Sequence, residues 1–120
     1  MKKFSYQQKI SMMRLLLDII NADGRIDVRE RALFEDLKKR FELDDAAQKM
    51  VGNKLSILAL LDIKNFDVEQ KHYFASLMSQ MIVVDEDMNV NELAVYDVVK
   101  EFCNLFDPFK GKVSGEPTKS

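Results

Sequence analysis

Ala22-Asp23-Gly24-Arg25-Ile26-Asp27-Val28-Arg29-Glu30 and Val84-Asp85-Glu86-Asp87-Met88-Asn89-Val90-Asn91-Glu92 are two acidic bends, each lying between a strongly apolar run and an amphipathic one. Setting Asp23 against Asp85 aligns them without a gap. Ile26 then meets Met88, Asp27 meets Asn89, Val28 meets Val90, Glu30 meets Glu92, Ala32 meets Ala94 and Phe34 meets Tyr96. A unit that cannot bury its own apolar stripe packs against a second copy of itself, so the alignment predicts two helical hairpins around a shared core.

Working outward from the first bend, Ile10, Met13, Leu17 and Ile20 recur at helical spacing, and Met12, Leu16 and Ile19 widen the stripe until little of the surface is polar. Such a helix, from about Tyr6 to Asn21, must be largely enclosed. Gly24 can take a positive φ and close it. Asp27 with Glu30 has the spacing of a capping box and opens a second helix, whose inward residues are Leu33, Phe34, Leu37 and Phe41. The second unit reads the same way. Asp67 with Gln70 caps a long helix carrying Phe74, Leu77, Met78, Met81 and Ile82. Asn89 with Glu92 then opens a last one carrying Leu93, Val95, Tyr96, Val99, Phe102 and Phe106, and Pro108 stops it.

Between the units, Asp44 or Asp45 can cap a short helix that Gly52 would break near Val51. Leu55 to Ile63 is apolar enough to be a helix or a buried strand by length alone, and its all-helical surroundings favour helix. No segment shows sustained alternation at period two, so the fold class is all-α. Residues 1–107 form one domain, and 108–120, rich in Gly, Ser, Lys and Pro, are a C-terminal tail expected to be flexible.

The 120 residues are 47% hydrophobic, sufficient for one core without disulfides or a structural metal. Charged residues make up 32% and the formal net charge is −2, with both signs interspersed. No footprint for nucleic acid results. The basic run Lys38-Lys39-Arg40 follows Glu35 and Asp36 at i,i+4 spacing and reads as a solvated helix face. Positive charge at Met1 to Gln8 has no apolar h-region behind it, and no apolar run approaches a bilayer span, so a cytoplasmic protein without membrane insertion is expected. Cys103, among Phe102, Leu105 and Phe106, reads as a buried inert thiol, and the only histidine, His72, as a helix-surface imidazole. Neither a nucleophile motif nor a glycine-rich phosphate loop is present. The chain reads as a non-enzyme.

The pattern Ala22-Asp23-Gly24-Arg25-Ile26-Asp27-x-x-Glu30, between an apolar helix and an amphipathic one, resembles the signature of the TerB-like tellurite-resistance family, over roughly Leu15 to Phe106. The resemblance implies a TerB-like helical bundle of two helix–acidic turn–helix units, also found in certain DnaJ-like co-chaperones, with a link to tellurite and general stress resistance. It implies cation or protein contact at the acidic turns and brings no enzymatic activity. The second copy departs from the pattern in placing Glu86 where glycine is usual.

The first bend also matches later positions of an EF-hand loop: Gly24 at six, Ile26 at eight and Glu30 at twelve. Position one must supply an oxygen ligand, yet it is Ile19 in one copy and Met81 in the other, while position three is Asn21 and then Val83. A calcium loop of that kind is not expected. A looser site would draw on Asp23, Asp27 and Glu30 in one unit and Asp85, Asp87 and Glu92 in the other, whose hard oxygens suit Ca²⁺, Mg²⁺ or Mn²⁺. Against it, Asp27, Glu30, Asn89 and Glu92 serve as caps at the positive ends of helix dipoles. The expectation is a non-catalytic stress-response module that contacts another protein, with self-association left open. The alternative is a divalent-cation binder or sensor.

Overall fold

The computed structural model describes residues 3–22, 24, 27–84 and 90–105. Among these there are six helices and no strand: α1 (Tyr6–Ile20), α2 (Val28–Arg40), α3 (Asp45–Asn53), α4 (Ser56–Lys64), α5 (Val68–Val83) and α6 (Val90–Cys103). The fold is all-α as expected, and the segment from Leu55 to Ile63 is helix. The bend residues Asp23, Arg25 and Ile26, the whole of 85–89, and Phe106 through the tail lie outside the described residues.

α1 packs against all five other helices. It buries Ile10, Met12, Met13, Leu15, Leu16, Ile19 and Ile20, every one of them 2% exposed or less. The core closes over it with Phe34 and Leu37 of α2, Phe74, Leu77, Met78, Met81 and Ile82 of α5, and Tyr96 and Val99 of α6. α1, α2, α3 and α5 each begin where a short polar side chain satisfies the first free N–H groups. Ser5 accepts from Gln8 N and Gln8 returns the bond to Ser5 N, and Asp67 and Gln70 form the same reciprocal pair. Asp27 accepts from the backbone of Arg29 and Glu30, and Asp44, not Asp45, caps α3.

The internal repeat runs well beyond the acidic bends. At the offset that relates Asp23 to Asp85, 62 residues, Phe4 corresponds to Phe66, Ser5 to Asp67, Gln8 to Gln70, Leu37 to Val99, Glu42 to Asn104 and Leu43 to Leu105. These pairs share structural roles. Ser5 and Asp67 are both capping-box residues, and Leu37 and Val99 are both buried. Glu42 and Asn104 both take a left-handed conformation, at φ 60° and 57°. Just beyond them, Leu43 N bonds to Lys38 O and Leu105 N to Lys100 O, both at 3.0 Å, the six-to-one bond that closes a helix. The rings of Phe4 and Phe66 meet at a tilt of 50° with centroids 5.7 Å apart, and Gln70 Nε2 donates to Gln8 Oε1 at 3.3 Å. Equivalent residues touching one another is the mark of a two-fold arrangement, here within one chain.

Three details differ from the sequence reading. Gly52 does not break α3, which continues to Asn53, because Arg14 of α1 donates to the carbonyls of Val51 and Gly52 at 3.3 and 3.1 Å and so completes its last turn. α6 ends at Cys103, stopped by the left-handed Asn104 before Pro108 is reached. Phe102 is 37% exposed, with Lys64 Nζ 5.0 Å above its ring, where a core position was expected.

A non-glycine residue held in the left-handed region is strained by about 1–2 kcal/mol. Glu42→Gly is therefore expected to raise the thermal midpoint by a few degrees in a calorimetric scan. Asn104→Gly should raise it less, because asparagine tolerates that region better than glutamate.

Candidate functional site

Of the six acidic residues expected to gather at the bends, Asp27, Glu30 and Glu92 are described, while Asp23, Asp85 and Asp87 lie outside the described residues. The three that are placed are already engaged. Asp27 caps α2 through hydrogen bonds of 2.8 Å from Arg29 N and 3.3 Å from Glu30 N. Desolvation raises its pKa, but these N–H groups and the Arg29 guanidinium outweigh that and hold the carboxyl below its ordinary value, so it stays ionised. Glu30 and Glu92 occupy matching positions in the first turns of α2 and α6, and their exposures are only 1% and 2%. The dipole at a helix start favours a carboxylate there. Among the described residues, no three His, Cys, Asp or Glu side chains converge as a cation would require.

The prominent surface feature is on α4. This helix buries only Ala59 and Ile63 and leaves Leu60 partly covered. Leu55 at its start, Ile57, Leu58 and Leu61 are 63, 53, 49 and 43% exposed. Contiguous apolar surface of this kind marks a contact site more often than it marks an accident of composition. The patch continues into a cleft of about 280 Å³ lined by Gln7, Ile10, Met50, Asn53, Lys54 and Leu58. Its rim carries the half-exposed Tyr6, whose hydroxyl donates to Met50 Sδ at 3.4 Å.

Two polar clusters on α1 fix α4 in this position. Ser11, fully buried, donates its hydroxyl to Asp62 Oδ2, which also receives Lys54 Nζ at 2.8 Å. Desolvation raises the Asp62 pKa, but the Lys54 ammonium and the Ser11 hydroxyl prevail and keep it below the usual carboxylate value. One turn along, Arg14 pairs with Asp18, and Asp18 Oδ2 accepts from Ser56 Oγ at 2.6 Å in the first turn of α4. Arg14 thus holds the end of α3 while Asp18 holds the beginning of α4.

Cys103 is buried, with its thiol 3.4 Å from Leu60 O. Burial pushes its pKa up, and the nearby Lys71 and Lys64 only partly offset that. His72 is exposed and borders a cleft of about 330 Å³ with Val68, Lys71, Asn104 and Leu105. Asp36 pairs with Arg40 at 2.7 Å as expected, while Glu35 lies 3.9 Å from Arg31. No helix among the described residues is long and apolar enough to cross a membrane.

The chain is similar to the crystal structure of a protein of unknown function from Porphyromonas gingivalis, at a TM-score of 0.74 and 26% identity. The match covers 88% of this chain and 83% of that one. No family model matches the sequence, and no curated protein does. The likeness therefore extends over most of both chains.

The α4 surface was missed in the sequence, although a signal existed. Leu55-Ser56-Ile57-Leu58-Ala59-Leu60-Leu61 is apolar around most of its circumference, and such a helix is either enclosed or part of a contact surface. Only the position of α4 on the outside of α1 and α6 separates the two.

Asp62→Ala leaves the buried Ser11 hydroxyl without its acceptor and the Lys54 ammonium with Gln7 Oε1 at 3.2 Å, and should cost about 1–3 kcal/mol in urea unfolding, part of which Ser11→Ala restores in the double variant. Folding lowers the Asp62 pKa, so its contribution is complete above the ordinary carboxyl value of 3.8 and disappears as pH falls through the lower folded value. Cys103 should resist alkylation by iodoacetamide at pH 8 in the native protein and react promptly in denaturant.

Proposed function

We propose that this chain is a non-catalytic, TerB-like stress-response module that acts by docking against another protein. The exposed apolar face of α4 carries the proposal. Leu55, Ile57, Leu58 and Leu61 are ordered on a helix that Ser11, Asp18 and Asp62 hold rigidly, and preorganised apolar surface costs little conformational entropy when it binds. The acidic bends lie in the hairpin connections, where the TerB-like resemblance would also put a contact. Affinity capture from the native cell, comparing the wild type with an Ile57→Asp, Leu61→Asp variant of unchanged melting temperature, tests the reading. Proteins retained by the wild type should be lost from the variant; an identical set would overturn it.

A second reading is a divalent-cation binder at the acidic bends. It is supported by the Asp27 carboxylate, which stays ionised beside a run of further hard oxygen donors. Because Asp27 is committed to the α2 cap, binding should be weak. Calorimetric titration with Ca²⁺, Mg²⁺ and Mn²⁺ against an Asp23→Ala, Asp85→Ala variant checks this. Tight binding abolished by those substitutions would favour a cation sensor over a docking module.

A further inference from the structure

We infer that the occupant of the α4 face is a second copy of this chain, paired through α4 in an antiparallel, two-fold arrangement centred on Leu58. The inference rests on the docking reading above and names its partner. Leu55 and Leu61 each stand three residues from Leu58, on opposite sides and on the same exposed face. Lys54, which closes α3 just before α4, and Asp62 near the end of α4 stand four residues before and after it in the sequence. A two-fold axis through Leu58 therefore sets Leu58 against its own copy and Leu55 of each chain against Leu61 of the other. The same operation brings the cation at Lys54 toward the carboxylate at Asp62 of the second chain, twice.

Self-pairing of a helix usually fails where like charges meet, and here the order of residues places opposite charges in register. Within one chain Lys54, 14% exposed, gives two of its three N–H bonds to Asp62 at 2.8 Å and Gln7 at 3.2 Å, which leaves one for a second carboxylate, while the Asp62 side chain is 41% exposed and can accept from a second ammonium.

The surroundings supply the rest of the contact. A stable interface covers about 800 Å² on each partner, more than a helix of this length presents. Tyr6 at 46% and Met50 at 41% exposure extend the apolar surface from Leu58 across the rim of the cleft. That cleft opens beside the axis, where the apolar residues of the second α4 would enter. No titratable group lies among Leu55, Ile57, Leu58 and Leu61 to be stranded by burial. The native thiol, Cys103, is buried and does not interfere with cysteine probes placed on α4.

The full chain is to be examined by sedimentation equilibrium over a wide concentration range, as wild type and as Leu58→Asp, with circular dichroism confirming that both are folded. The wild type should dimerise, and Leu58→Asp, which places two carboxylates at the centre of the seam, should weaken dimerisation at least about 100-fold. Register is read by oxidation. Leu58→Cys alone should form a disulfide-linked dimer, whereas Leu55→Cys and Leu61→Cys should cross-link efficiently only when mixed with each other.

A wild type that remains monomeric throughout overturns the pairing. So does a dimer that Leu58→Asp leaves intact, or cross-linking of Leu55→Cys with itself in preference to Leu61→Cys. If self-pairing fails while capture of cellular protein still depends on Ile57 and Leu61, the docking reading stands with a different occupant. If both fail, the docking reading falls with it.

Discussion

Enclosure of α1 is the constraint on which the rest of the molecule depends. A helix with Ile10, Met12, Met13, Leu15, Leu16, Ile19 and Ile20 distributed around its axis cannot lie on a surface, and the five helices around it exist in the arrangement that covers it. One hairpin partner, α2, covers one side only. The second repeat supplies α5 and α6, and the intervening α3 and α4 close what remains. The few polar groups that α1 carries are consequently costly to misplace, and they decide where its neighbours sit. Ser11 selects Asp62, Arg14 takes the carbonyls at the end of α3, and Asp18 takes Ser56.

The pseudo-two-fold arrangement follows from the same demand. Phe4 against Phe66 and Gln8 against Gln70 are residues meeting their own equivalents, so each repeat presents to the other the surface it receives. Symmetry is broken by α3 and α4, which occupy the connection between repeats and pack on α1, α4 also on α6. Because α4 covers the core from outside with only Ala59 and Ile63 fully buried and Leu60 partly so, Leu55, Ile57, Leu58 and Leu61 keep much of their apolar surface outside the core. The departure from symmetry and the contact surface are therefore the same feature. Functional surface arising where a repeat is interrupted is reasonable physically, since the repeated positions are already spent on packing.

At the acidic bends, the conspicuous feature of the sequence, the described carboxylates sit at helix starts, as the capping spacing suggests. Asp27 is held ionised by backbone N–H groups at the start of α2, and Glu30 and Glu92 are enclosed at matching places in their helices. Residue types that could ligate a cation are, at these three positions, engaged in beginning and anchoring helices.

Much of this was legible in the chain itself. Helical spacing, the capping pairs at Asp67 with Gln70 and the alignment of Asp23 with Asp85 are local or periodic signals, and backbone sterics and N–H satisfaction convert them into helices wherever the chain is placed. The end of α3 at Asn53, the left-handed Glu42 and Asn104, and the exposure of Phe102 were not legible, because each depends on a partner distant in sequence or on a helix-closing bond that another helix stabilises. The same holds for the α4 face. From Leu55 to Leu61 the sequence establishes an apolar helix, and the hydrophobic effect has no direction of its own; which side of that helix meets water was settled only when Asp62 and Ser56 were drawn to Ser11 and Asp18 on α1.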